Sequence, residues 1–299
     1  MKLEIVAEGL RFPEGPVAMP DGSVIVVEIA AGRVTRVRPD GSTETVAEPG
    51  GGPNGLAVGP DGRLWCCNNG GFAWAERDGF LAPHGQPDDY SGGRIEAIDL
   101  ATGAVEVMYQ SGDNGVRLRG PNDLVFDAHG GFYFTDHGKT RLRERDVTGL
   151  FYAKADGSHI AEVVHPLENP NGVGLSPDRR TVYVAETYTC RLWAFPVEAP
   201  GVLGAGRPLF SPGGYTFFDS LGVEACGNIC VATIGEAGIS VVSPEGVLVE
   251  KVATPDVFTT NICWGGEGMT TAWITLSGSG KLARAGWARP GLRLAHQAG

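Results

Sequence analysis

The stretch Gly52-Pro53-Asn54-Gly55-Leu56-Ala57-Val58-Gly59-Pro60-Asp61-Gly62-Arg63-Leu64-Trp65-Cys66-Cys67 decides the fold, because both halves of it recur along the chain. Pro60-Asp61-Gly62 is a tight turn, in which proline presets φ and glycine accepts positive φ, and such turns join antiparallel strands. Intact or degraded copies stand at Pro20-Asp21-Gly22, Pro39-Asp40-Gly41, Ala155-Asp156-Gly157, Pro177-Asp178-Arg179 and Pro244-Glu245-Gly246. Their flanks, such as Ser23-Val24-Ile25-Val26-Val27, Gly131-Phe132-Tyr133-Phe134-Thr135 and Arg180-Thr181-Val182-Tyr183-Val184-Ala185, read as short strands. Nothing a dozen residues long carries helical periodicity. The second half of the pattern is Asn54, seven residues before Asp61. The same offset places Glu14 before Asp21, Asn122 before His129, Asn171 before Asp178, Asp219 before Cys226 and Asn261 before Gly268.

Six units of about four strands predict an all-β chain, a single six-bladed β-propeller over residues 1–299. The blades run near 9–50, 51–118, 119–166, 167–213, 214–256 and 257–299, with Leu3-Glu4-Ile5-Val6-Ala7 available to close the last. Equivalent residues of successive blades surround one axis, so the six polar anchors are expected to converge on the mouth of the central channel. Any one of them alone is an ordinary turn residue. Two carboxylates and four amides on one axis would repel one another and stay poorly satisfied without a cation. An all-oxygen set suits one hard divalent ion such as calcium, magnesium or manganese, and the cation expected is Ca2+ first, with Mg2+, Mn2+ or Zn2+ as alternatives.

Composition sets the outer bounds. The 299 residues hold 42% apolar side chains, enough for a core, and 24 basic against 35 acidic residues give a net charge of −11. That charge disfavours nucleic acid and acidic membranes as partners. There is no apolar run long enough to span a bilayer. The opening Met1-Lys2-Leu3-Glu4-Ile5-Val6-Ala7-Glu8 puts an acidic residue where a signal peptide needs a continuous apolar run, so a cytoplasmic chain is expected. Cys66, Cys67, Cys190, Cys226, Cys230 and Cys263 have no zinc-site spacing and read as small, reduced, mostly buried side chains.

Four stretches carry a family resemblance: Phe12-Pro13-Glu14-Gly15-Pro16, Gly120-Pro121-Asn122-Asp123-Leu124, Asn169-Pro170-Asn171-Gly172-Val173-Gly174-Leu175-Ser176-Pro177-Asp178 and Phe218-Asp219-Ser220-Leu221-Gly222-Val223. With Thr260-Asn261-Ile262-Cys263-Trp264-Gly265-Gly266 they make the whole chain resemble the SMP-30/gluconolactonase/LRE-like family. The resemblance implies one divalent cation over the channel, with Glu14, Asn171 and Asp219 as its ligands. It also implies that Asn122 binds substrate or a ligand water, or in some members the metal itself. Sugar-lactonase members carry an arginine two places before the blade-three asparagine, where this chain has Gly120; Arg119 stands one residue further off. The segment from Gly70 to Gly93, holding Phe72, Trp74, Phe80, His84 and Tyr90, reads as a long loop of blade two, either surface decoration or an aromatic lid. Both departures point away from a simple hexonolactone and toward a less polar cyclic ester.

The expected activity is hydrolysis of a lactone or related small cyclic ester. In it the cation polarises the carbonyl, Asp219 serves as general base, Glu14 fixes the ion, and Asn122 orients the substrate. Arg119, Asn54 and His137 are further candidate substrate contacts. His137 is also a possible proton carrier, or else a satisfied loop histidine. Asp136, Glu28 and Asn68 share a strand-end position, with Glu186 displaced by one residue, and read as groups that tie down loops. Gly138-Lys139-Thr140 lacks the preceding glycine and following helix of a phosphate loop. No G-x-S-x-G elbow or H-E-x-x-H occurs. Other chemistry at the same metal, such as phosphotriester hydrolysis or a lyase-type ring opening, is the alternative enzyme reading. A non-catalytic calcium-binding propeller is the alternative binding reading. Either a monomer or a homodimer is compatible with the chain.

Overall fold

The computed structural model describes residues 2–297; the expected domain limits at Met1 and at 298–299 fall outside these. Six antiparallel sheets follow one another along the chain; in the first five the earliest strand is innermost, and in the sixth the innermost strand is Thr259–Gly265. Blade one comprises Pro13–Ala18, Val24–Glu28, Arg33–Val37 and Thr43–Ala47. Blades two to five begin with Pro53–Val58, Pro121–Phe126, Pro170–Leu175 and Phe217–Val223. Blade six is built from Thr259–Gly265, Thr271–Leu276 and Lys281–Gly286, and its outermost strand is Glu4–Ala7, from the start of the chain. Glu4 pairs with Arg284 and Ile5 with Ala283, so the two ends of the chain close the ring in one sheet. Closure leaves no open seam between first and last blades, which removes edges that would otherwise fray. Among the described residues helix is confined to two short 3-10 turns, Ile29–Ala31 and Glu267–Met269, and no described helix is long and apolar enough to cross a membrane.

Inner strands are held close around the axis by missing side chains. A Cβ on Gly15 would stand 2.4 Å from the Asn54 carbonyl oxygen, and one on Gly55 would stand 2.5 Å from that of Asn122. Only glycine permits so near an approach. Between blades the core is apolar and aromatic, as where Trp65 meets Phe126 and Phe132 with ring centroids 5.7 and 5.2 Å away. All six cysteines are free; Cys66, Cys67, Cys190 and Cys230 are buried, whereas Cys226 is exposed.

Candidate active site at the channel mouth

One device places all six anchors, and a second is added in blades one to four. First, the ladder between the innermost and second strands slips at or just beyond it: between Glu14 and Val17, Pro53 and Leu56, Pro121 and Leu124, Pro170 and Val173, Phe218 and Leu221, and Thr259 and Asn261. Bulges of this kind bend the strand and re-aim a side chain. Second, a polar group at the end of the second strand accepts a backbone N–H from the incoming loop. Glu28 takes Arg11 N at 2.8 Å, Asn68 takes Gly52 N at 2.9 Å, Asp136 takes Arg119 N at 2.7 Å, and Glu186 takes Glu168 N at 2.7 Å. These four are loop ties, as their strand-end positions suggest. In the first blade the loop is also strained, since Phe12, bulky and buried, holds φ at 58°.

A cavity of about 390 Å3 opens over the ring, and Glu14, Asn54, Asn122, Asn171 and Asp219 all line it. Asn261 does not. It faces a smaller cavity further down the channel, its Oδ1 accepting Ile262 N at 2.8 Å and its Nδ2 donating to Glu14 Oε2 at 2.7 Å. The expected convergence of six anchors is therefore five, with the sixth holding Glu14 from below. His137 lines the cavity too. Arg119 does not: its side chain is exposed, and its backbone is pinned by Asp136, so the expected substrate contact is corrected. Gly120 leaves no room for a replacement, because a Cβ there would lie 2.7 Å from the Gly138 oxygen.

The ring is rich in oxygen atoms without donors. Glu14 Oε1 and Asn122 Oδ1 are buried and have no hydrogen-bond partner. Asn171 is oriented by its Nδ2, which donates to Thr187 Oγ1 at 3.1 Å, leaving Oδ1 only a long 3.3 Å contact from Ser220 Oγ. Burial pushes the Asp219 carboxyl well above the usual carboxylate range, and the neighbouring Glu14 charge pushes it further. Burial raises Glu14 too, against the hydrogen bonds from Asn261 and Gly15. Unpaired acceptors and two mutually repelling carboxylates are costly as they stand, and a divalent cation bound by oxygen would relieve both. The donor set fits such an ion. Among the described residues no three His, Cys, Asp or Glu side chains are placed to hold a metal ion by themselves, so the set is two carboxylates with amide oxygens.

Two titratable groups beside the site escaped the sequence reading. Asp123, directly after Asn122, is buried on the channel side, where desolvation and then the Glu14 charge lift it to about 8. Its signal was positional: the residue after the anchor is glycine in blades one, two and four but aspartate here. Lys139 is 1% exposed, and its Nζ donates to Asn69 Oδ1 at 3.1 Å and Gly71 O at 2.7 Å, 4.0 Å from the centroid of the Phe72 ring. It fastens the root of the 70–93 segment to blade three. That segment is an ordered hairpin, Trp74–Arg77 against Phe80–Pro83, whose Leu81 N reaches Gly278 O of blade six at 2.9 Å. Phe72, Ala82, Pro83 and Gly85 form cavity wall. Burial also lowers His137 to about 4, with the Lys139 charge adding to it, so the ring is a neutral contact and a weak proton acceptor.

Burial pulls Lys139 itself down to about 7 from 10.5, with Asp136 and Asp146 opposing the shift. Between those values the unfolded chain holds a proton that the folded one has released, so stability contributed at this site rises with pH. Comparing the wild type with Lys139→Met in denaturant titrations from pH 7 to pH 10 is expected to show a difference growing by up to ~1.4 kcal/mol per pH unit. A difference independent of pH would mean that Lys139 titrates normally.

A six-bladed propeller with an acidic, oxygen-lined mouth on its axis is the class that fold and site define. The profile of the SMP-30/Gluconolactonase/LRE-like region matches residues 12–278, and the chain belongs to that family. Among curated relatives, the gluconolactonase of Zymomonas mobilis is 26% identical, the match covering 90% of this chain and 77% of that one. The lactonase drp35 of Staphylococcus haemolyticus is 27% identical, over 85% and 72%. A solved gluconolactonase of Xanthomonas campestris superimposes with a TM-score of 0.76 at 24% identity, covering 97% of this chain and 89% of that one, and shares the fold.

Proposed function

We propose that the protein is a divalent-metal-dependent lactonase that hydrolyses a cyclic ester to the hydroxy acid. The observation that carries this reading is the pair of orphaned buried acceptors, Glu14 Oε1 and Asn122 Oδ1, beside Asp219 at the floor of an open cavity. The lactonase names of relatives at 26% and 27% identity support it. Glu14, Asn171 and Asp219 would hold the ion, with Asn122 at its edge. When bound, the ion supplies Lewis-acid polarisation of the ester carbonyl and stabilises the oxyanion that develops there.

The remaining work falls to the chain. Asn122 orients the ester through its amide, which the bulged strand fixes at the cavity floor. Asp219 takes the proton of the attacking water as the water oxygen bonds to the carbonyl carbon. When the ring C–O bond breaks, the same proton passes to the leaving alkoxide, so atoms and charge balance. Glu14 stays fixed by Asn261 and by Gly15 N at 2.6 Å, and Asn171 by Thr187.

The test is chelation followed by separate return of Ca2+, Mg2+, Mn2+ and Zn2+ over a panel of lactones and simple esters. Hydrolysis lost on chelation and restored by one ion is expected. Lactone hydrolysis unaffected by chelator would remove the metal from the reading, and none with any ion would remove the activity.

A further inference from the structure

The cavity has two unlike sides. Its floor and the wall from blades three and four are polar, presenting His137, Thr140, Thr187 and the Tyr188 ring. From blade five through six and one to the blade-two hairpin the wall is apolar: Phe217, Val257, Phe258, Phe12, Ile29 and Phe72. This arc is rigid. Phe12 packs on Trp74 at 5.0 Å and on Phe258 at 6.2 Å between ring centroids, and Phe72 packs on Trp74 at 6.0 Å. Among the described residues no arginine or lysine lines the cavity. Among the described residues the carboxylates lining it are Glu14 and Asp219, which a divalent cation would neutralise at most.

Resting on the lactonase reading, we infer that the substrate is a neutral lactone with an apolar arm, alkyl or aryl, that lies against the Phe12–Phe72–Phe258 arc. Its ester group meets the anchors, and the ring's polar edge meets Thr187 and His137. A polyhydroxylated lactone would press hydroxyls onto carbon along most of the wall, and each buried hydroxyl without a partner is penalised. An anionic arm lying on the arc would find no cation there, since the Arg145 guanidinium stacks on Tyr188 of the polar wall, 3.8 Å from its ring centroid. The volume of about 390 Å3 leaves space for such an arm, being within the roughly 300–1,000 Å3 typical of pockets for ligands well above a bare ring in size.

The experiment measures kcat/KM, with the activating ion saturating, for one lactone ring bearing no arm, a butyl, a hexyl or an octyl arm, and a hexyl arm ending in carboxylate, together with gluconolactone. Alongside, the matching uncharged lactams are titrated against tryptophan fluorescence, since Trp74 lies directly behind Phe12 and Phe72. The expected results are a rise in kcat/KM, and in lactam affinity, of up to ~4-fold per methylene. The carboxylate-ended arm loses most of this gain. Phe258→Ala and Phe72→Ala flatten both series, whereas Phe258→Leu keeps much of the slope. A series flat or falling with arm length, or gluconolactone turned over best, overturns the inference and leaves the lactonase reading standing. If no lactone is hydrolysed with any ion, the lactonase reading fails, and lactam affinity alone decides whether the arc binds an apolar arm. Should Phe258→Ala melt before assay, the Phe258→Leu and Phe72→Ala slopes decide.

Discussion

Asp219→Asn is expected to lower kcat by on the order of 10²–10⁴-fold even with the activating ion at saturation, the scale for losing a positioned base. The substitution keeps an amide oxygen where the carboxylate oxygen was, so a ligand can survive the change, whereas a proton acceptor cannot. Asn122→Ala is the internal contrast. It removes an orienting amide and no charge, so the protein should keep most of its affinity for the ion while kcat falls about 10²-fold, as when one oriented contact to the developing oxyanion is lost. Both variants are read in a metal titration that follows bound ion and kcat together. Should excess ion return Asp219→Asn to the wild-type kcat, Asp219 is a ligand only. The base would then lie elsewhere on the wall, where His137 is the one imidazole among the described lining residues.

Which parts of this site could be read from the sequence follows from how each part is encoded. The anchors were legible because a six- or seven-residue inner strand followed by a short turn fixes the offset between them, and the six blades repeat that spacing. The spacing gives position along the axis but not direction, and Asn261 shows the difference: its amide is taken by Ile262 and Glu14 on the lower side. The apolar arc was illegible, apart from Phe72 in the suspected lid, because Phe217, Val257 and Phe258 enter from loops and strand ends that carry no periodicity. Arg119 looked like a substrate contact by proximity in sequence to Asn122, yet the Asp136 tie fixes its backbone and its side chain is exposed. Lys139 sits in a polar run that reads as solvated, and nothing local shows that the blade-two hairpin will cover it. The hairpin itself did have a local signal. Asp78 and Gly79, at φ 54° and 79°, are the two-residue loop that right-handed strand twist favours, and Asp-Gly is one of its preferred pairs.

Glu14→Gln is expected to abolish most of the stabilisation that the activating ion confers, while leaving the ion-free protein as stable as the wild type or more so. The argument rests on opposite signs at one residue. Without the ion, Glu14 is a buried carboxylate beside a second one, its Oε1 unpartnered, and removing its charge relieves both desolvation and repulsion. Glutamine preserves the shape, and its oxygen can still accept from Asn261 and Gly15. With the ion, Glu14 supplies one of only two negative charges in the donor set, so its loss should weaken binding sharply. An ion present at about 100 times its dissociation constant stabilises the native state by ~2.7 kcal/mol, enough to raise Tm by several degrees in the wild type. Thermal melts of both proteins with chelator and with each ion measure the two quantities separately. A general folding defect would lower Tm in both conditions, and a residue remote from the ion would leave the ion-induced rise intact. Only a buried ligand carboxylate gives an unchanged or higher baseline together with a lost increment. Should Glu14→Gln show the full wild-type increment with the activating ion, the ion does not sit on Glu14, and the axial site would have to be built from other oxygens.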